Sequence, residues 1–298
     1  MRVEEILEKS GTTRFSLEVF PPKARLGEKV KLQHRLSRIF DSVEMLLRYD
    51  PAFISVTYNT DNLTRATSIP VAAIIKERFG IETVAHLTCI NTPREELERT
   101  FDVLDYFNIT NILALRGDLK PDCELDRNCL RYASELVSEG QKRRDDISIG
   151  VASYPEGHPE CTSKEGKRDL EKDRAYLLEK IEKGADFTIT QLFLDNGFFF
   201  DMKNHLEKTG ASIPIIPGIM PITTRGNLKV VRNLTGATIP EGLERRIEAN
   251  VDDREEVFEV GVEHAVGQCR GLMDRVDCIH FYTMDTWEAT DRIIRELV

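Results

Sequence analysis

Short runs of β-branched and aromatic residues recur along the chain, and each is bounded by polar or turn-forming positions. Eight such runs predict strands at 15–20, 52–58, 83–89, 111–117, 148–154, 187–193, 213–219 and 278–284. Between them the apolar spacing changes to every third and fourth residue. This predicts helices over 28–49 and 94–107, one around 198–208, a longer helical region reaching about 274, and a short amphipathic helix over 289–298. Strand and helix alternate with no linker, low-complexity tract or shift in composition. Repeated βα units imply a parallel sheet, and eight of them in 298 residues predict a closed (β/α)8 TIM barrel as a single domain over 1–298. The rival, an open doubly wound sheet, usually carries a Gly-rich phosphate turn after its first strand, and no GxG occurs in the chain.

The first strand contains an anomaly. In FSLEVFPPK, alternation puts Phe15, Leu17 and Val19 on one side and Ser16, Glu18 and Phe20 on the other. Pro21 and Pro22 then end the ladder. Glu18 therefore stands near a strand's C-terminal end, where barrel chemistry collects. The other strand ends are polar as well: Thr57 and Tyr58, His86 and Thr88, Arg116-Gly117-Asp118, Tyr154 and His158, Gln191, and Tyr282 with Thr283. One such residue is ordinary capping or packing, but a whole rim of them points to a site. Two carboxylates on one mouth suit acid–base work. Glu18, between apolar neighbours, is the candidate proton donor, and Asp118, at a polar turn, is the candidate anion.

Composition narrows the function. The formal net charge is −10, from 41 basic and 51 acidic side chains, which argues against a general nucleic-acid or anionic-membrane binder. The N-terminal MRVEEILEKSGTTRF lacks a signal-peptide apolar run, and no 18-residue apolar stretch occurs, so a cytoplasmic location is expected. Six cysteines at 89, 123, 129, 161, 269 and 278 form no CxxC pair, which predicts reduced thiols and no zinc site. P-loop, HExxH, EF-hand and GxSxG patterns are missing, and HPEC at 158–161 lacks the PCxxC partner of a zinc deaminase. The charges from Lys164 to Lys183 read as a solvated helix face, and Phe198–Phe200 as packing at a helix start.

Taken in order, LEVFPPK, FISVTY, HLTCI, LALRGD, ASYPEGHPE, ITQLFLD, IIPGIMPI and HFYT resemble the flavin-dependent methylenetetrahydrofolate reductases across residues 15–284. The resemblance implies a barrel with non-covalent FAD at its C-terminal mouth. It implies reduction of 5,10-methylenetetrahydrofolate to 5-methyltetrahydrofolate by a ping-pong hydride relay, with NADH or NADPH as donor. Carried over residue by residue, Glu18 is the general acid, Asp118 lies by pterin and flavin, and Gln191 contacts the pterin. Thr57, His86, Arg116, Gly117, Tyr132, Ala133, Tyr154 and His158 match flavin-contacting positions. Lys180, four residues before Gly184, matches a contact to the FAD pyrophosphate. Asp173, in a segment longer than in familiar bacterial members, matches a ribose or phosphate contact. The family is commonly oligomeric, so a homo-oligomer is a further expectation.

The chain departs from the family pattern at three positions. Asn227, the expected substrate contact, stands where the family often has Gln, Val231 where it has a stacking Phe, and Thr286 where it has a basic residue. These departures raise an alternative in which the pterin half-reaction is kept but electrons come from a ferredoxin or a partner flavoprotein. A pterin-binding methyl-transfer barrel without redox chemistry is the alternative of another class.

Overall fold

The pleat of the first strand sorts the chain as its alternation predicts. In β1 (Arg14–Val19) the odd-numbered Phe15, Leu17 and Val19 join one large core with Ile39, Val43 and Leu46 of helix α2 (Lys29–Leu46). Ile293 and Ile294 of α11 (Glu288–Leu297) belong to the same core. Ser16 and Glu18 face the other way, into the ring of strands. The structure, a computed structural model, describes residues 1–23, 25, 27–58, 64–90, 92–118, 127–143, 146–284 and 286–298, with the backbone alone for 65 and 234.

After α1 (Val3–Glu8) and β1–α2, the units are β2 (Ile54–Val56) with α3 (Arg65–Phe79), β3 (Thr83–Thr88) with α4 (Arg94–Tyr106), and β4 (Asn111–Leu115) with α5 (Ala133–Arg143). Then come β5 (Ser148–Ser153) with α6 (Leu170–Glu182) and β6 (Phe187–Thr190) with α7 (Asn196–Lys208). β7 (Ile215–Ile216) and β8 (Gly218–Ile219) lead into α8 (Arg225–Val230), a π-helical turn Val231–Thr235, α9 (Glu241–Ala249) and α10 (Arg254–Leu272). β9 (Cys278–Tyr282) and α11 complete the chain. All strand pairs are parallel, in the order β7-β6-β5-β4-β3-β2-β1-β9-β8.

The sheet is a nearly closed TIM-type barrel whose seventh strand comes in two pieces. The single strand expected at 213–219 is broken at Pro217, which has no N–H to donate. β7 pairs with β6, β8 pairs with β9, and the Pro217 carbonyl accepts from His280 N–H at 2.9 Å.

The bottom of the barrel is filled and capped. Phe53, Val84, Leu113, Phe187 and Ile216 pack inside with Val3 and Leu7 of α1. Gly150 is required there, since a Cβ at that position would come within 2.3 Å of the Phe187 ring. Helix α1, which no sequence pattern announced, is held by long-range bonds. Val3 N–H donates to Asn111 Oδ1 at 2.9 Å and Ser148 Oγ donates to Glu4 Oε2 at 2.6 Å. With this end filled, the polar strand ends stand at the opposite, C-terminal mouth.

Two loops of that mouth are clasped together. Arg168, between β5 and α6, donates to Glu156 O at 3.2 Å, Thr235 O at 2.7 Å and Gly236 O at 2.9 Å. Thr238 N–H and Oγ1 donate to the Glu156 carboxylate at 2.9 and 2.5 Å. The five described cysteines form no disulfide, and Cys123 lies outside the described residues. Among the described residues no helix is long and apolar enough to cross a membrane.

Candidate active site

Glu18 ends β1 on the inward face and is 6% exposed. Its surroundings differ from the expected apolar ones: Oε2 lies 3.6 Å from His86 Nε2 and 3.8 Å from His280 Nε2. Both distances exceed hydrogen-bond range. The His280 ring is fixed by Ser16 Oγ at 2.8 Å on Nδ1, Ser55 Oγ at 3.3 Å on Nε2, and Phe53 stacked at 5.8 Å between centroids. Thr283 Oγ1 donates to Glu18 O at 2.6 Å, tying the ends of β1 and β9. Burial drives the His86 pKa down to about 4 despite the pull of Glu18, so its ring is neutral at pH 7, and its Nε2 has no hydrogen-bond partner among the described residues.

At the ends of β2 to β5 opens a cavity of about 640 Å³, within the range of small-molecule sites. Arg116, Gly117 and Asp118, following β4, line it together with Tyr154 and His158 from the end of β5. Tyr132, Ala133, Asp173 and Lys180 complete the set of expected residues found there. Gly117 takes φ 88°, the left-handed region where glycine is favoured, and so turns the chain between Arg116 and Asp118.

The cavity's charges are graded by burial. Lys180 Nζ donates to Ala152 O at 2.5 Å, and burial lowers its pKa to about 8 against the pull of Asp173 and Glu179. Burial raises the Asp173 pKa, opposed by a backbone N–H from His158 and by Lys180. These two residues correct the solvated reading of Lys164–Lys183, because α6 turns one charged edge into the cavity. Arg116 is paired with Glu160 at 2.5 Å. Burial pushes Tyr154 up to about 12, and its ring meets His158 edge-on at 4.6 Å.

Five expected residues do not line the cavity: Glu18, Thr57, His86, Gln191 and Asn227. Glu18 and His86 adjoin each other as described. Thr57 N–H donates to Val19 O at 3.1 Å, so it sits beside the end of β1. Gln191 is in phase with the inward Phe187 and Ile189, and its Oε1 accepts from Leu192 N–H at 2.9 Å. Asn227 Oδ1 accepts from Thr224 N–H at 2.8 Å and so caps α8. The cavity also recruits Thr88, one of the polar strand ends, and Glu160, Lys172 and Tyr176, to which the sequence assigned no role. Tyr176 was legible in principle, because it falls three residues after Asp173 and four before Lys180 on one helix face.

The family model described as Methylenetetrahydrofolate reductase matches residues 2–298. The chain belongs to the methylenetetrahydrofolate reductase family. It is 33% identical to 5,10-methylenetetrahydrofolate reductase of Salmonella typhimurium, covering 99% of this chain and 94% of that one. It is 34% identical to Methylenetetrahydrofolate reductase 2 of Schizosaccharomyces pombe, covering 99% of this chain and 47% of that one. The chain thus spans about half the length of the fungal and plant relatives it matches. A solved Clostridium thermocellum protein, described as binding two copies of 5-methyl-5,6,7,8-tetrahydrofolic acid, shares the fold. Its TM-score is 0.67 at 16% identity, over 99% of this chain and 98% of that one.

Relative to the family pattern, the departures have structural consequences. Val231 is fully buried in a second core with Leu192, Met220, Leu228 and Leu243, so its side chain is no platform at the mouth. Thr286 Oγ1 donates to Thr283 O at 3.1 Å, closing the turn after β9.

Proposed function

We propose that the protein is an FAD-dependent oxidoreductase that converts 5,10-methylenetetrahydrofolate to 5-methyltetrahydrofolate, acting as one catalytic domain. The observation that carries this reading is the buried Glu18 carboxyl, caged by His86 and His280, together with a cavity lined with Arg116 and Lys180.

The residues fit the dinucleotide. Lys180 and Arg116 supply cations for the phosphates, and the half-exposed Tyr132 and Tyr176 supply aromatic surface at the rim. His86 Nε2 and Thr88 Oγ1 are buried polar atoms without hydrogen-bond partners among the described residues, of the kind a bound ligand satisfies. When bound, the flavin supplies a two-electron carrier between donor and folate.

The chain's own residues do the rest. Opening the five-membered ring of the substrate requires a proton on the departing nitrogen, and Glu18 is the buried carboxyl that delivers it, away from bulk water. His86 is neutral at working pH and so adds no positive charge that would compete with the developing iminium. The exposed Asp118 carboxylate on the cavity wall offsets that positive charge electrostatically. Gln191, on the inward face after β6, is the pterin contact.

NADH or NADPH is the first-choice donor, and an Arabidopsis thaliana relative named as NADH-linked is 29% identical over 99% of this chain. A protein donor, ferredoxin or flavoprotein, is the second reading. It is favoured by the burial of Val231, which offers no stacking surface, and by the capping of α8, which engages the Asn227 side-chain oxygen.

The test is an anaerobic absorption spectrum of FAD-loaded protein before and after NADH. Prompt bleaching supports the nicotinamide donor. Flavin that stays oxidised with NADH and NADPH, yet is reoxidised by methylenetetrahydrofolate after dithionite reduction, supports a protein donor. Reduced flavin that methylenetetrahydrofolate leaves unchanged overturns the proposed reaction.

A further inference from the structure

The inner end of the cavity contains a polar atom that the folded chain does not use. Thr88, the last residue of β3, is 4% exposed and lines the cavity with Tyr58, Ala114 and Leu115. Its carbonyl accepts from Thr92 Oγ1 at 2.9 Å, but its own Oγ1 has no partner among the described residues. Leaving a buried hydroxyl unpaired opposes folding, and such groups are uncommon in native proteins. Thr83, Thr110 and Thr290 also carry buried hydroxyls without a partner among the described residues, but Thr88 alone of these four lines the cavity, and other threonines of the barrel are satisfied. Thr92 and Thr283 both donate to backbone carbonyls, and Thr190 Oγ1 accepts from Gly218 N–H at 2.9 Å.

Thr88 is also in phase with His86, two residues earlier on the same face, whose Nε2 is likewise unpartnered. Rotation about χ1 exchanges the methyl and hydroxyl of a threonine, so presenting this hydroxyl to a ligand needs no backbone movement.

We infer that the Thr88 hydroxyl hydrogen-bonds the heteroaromatic head of the ligand that fills this cavity and helps select for it. The charged groups Arg116, Lys172 and Lys180 and the rim residues Tyr132 and Tyr176 lie on other elements of the same cavity. Asp118, Glu160, Asp173 and Glu179 line it as well, so a long ligand whose anionic middle meets the cations would reach Thr88 with its polar ring edge. The inference rests on the cofactor reading above, with the flavin ring as that head.

The role gives two effects of opposite sign. Thr88→Val keeps the shape and deletes the unpaired hydroxyl, so the ligand-free protein should melt higher, by about 1–3 °C. The same variant should bind FAD about tenfold more weakly by fluorescence quenching. Thr88→Ser should stay within about twofold of the parent. ADP, which lacks the ring, should bind parent and Val variant alike. Equal FAD affinity in parent and Val variant overturns the inference. So does a variant that loses melting temperature and affinity together, or one whose loss extends to ADP. A parent protein that binds ADP but not FAD overturns the cofactor reading and this inference with it.

Discussion

Glu18 Oε2 and His86 Nε2 stand 3.6 Å apart with both side chains closed off from solvent, close enough to interact and too far to hydrogen-bond. At 3.6 and 3.8 Å neither His86 nor His280 hydrogen-bonds Oε2. Glu18→Gln keeps the shape and removes the proton. Folate turnover should fall by roughly 10²–10⁴ while FAD content is unchanged, as read from stopped-flow oxidation of prereduced flavin. Turnover near that of the parent would sink the acid assignment.

His86 gives the protein a specific acid sensitivity. Its folded pKa is about 4 against an ordinary 6.5, with Glu18 and His280 the titratable groups facing it. As pH falls, the unfolded chain takes up this proton first. The contribution to stability is thus complete above about pH 6.5, declines below it, and is gone near pH 4, amounting to roughly 3 kcal/mol at most. Melting curves from pH 7 to 4.5 should be steeper for the parent than for His86→Asn.

Lys180 predicts the opposite limb, in binding. Its ammonium titrates near 8, with Asp173 and Glu179 pulling the value up and burial pulling it down. A phosphate ligand favours the charged form, so FAD affinity should be flat up to about pH 7. It should then fall by up to about tenfold per unit once pH rises through 8. Lys180→Met should lower affinity at pH 7 by about ten- to a hundredfold and abolish that limb in a fluorescence titration.

Gly150 tests the closed end of the barrel. A Cβ there meets Phe187 at 2.3 Å inside a filled interior, so Gly150→Ala should destabilise by about 1–3 kcal/mol in urea unfolding. Gly242→Ala, where a Cβ meets nothing within 4 Å, is the control and should be near neutral.

The strands were legible because their apolar runs are short, β-branched and separated by helical periodicity, and all eight positions carry strand. The break at Pro217 was also written in the sequence, but only the pairing of β7 with β6 and β8 with β9 shows that one proline divides the strand between two neighbours. Helix α1 was not legible. Its six residues are too short to signal by periodicity, and contacts 108 and 144 residues away hold it.

Much of the site was visible as polar strand ends, and the resemblance turned those ends into roles. The histidine cage around Glu18 was hidden, because His280 sits in mid-strand and only barrel closure brings β9 against β1. The cavity-facing edge of α6 was obscured for another reason. A run of charges looks solvated until the helix phase separates Asp173 and Lys180 from Glu171 and Glu182.

The clasp between Arg168, Glu156 and the segment 235–238 makes two distant stretches of chain into one mechanical part. One side carries His158, Glu160 and Asp173 along the cavity wall. The other continues the π-helical turn that begins at Val231. Neither stretch can shift without breaking these bonds or carrying the other with it, so the wall of the cavity and the turn after β8 behave as a single body.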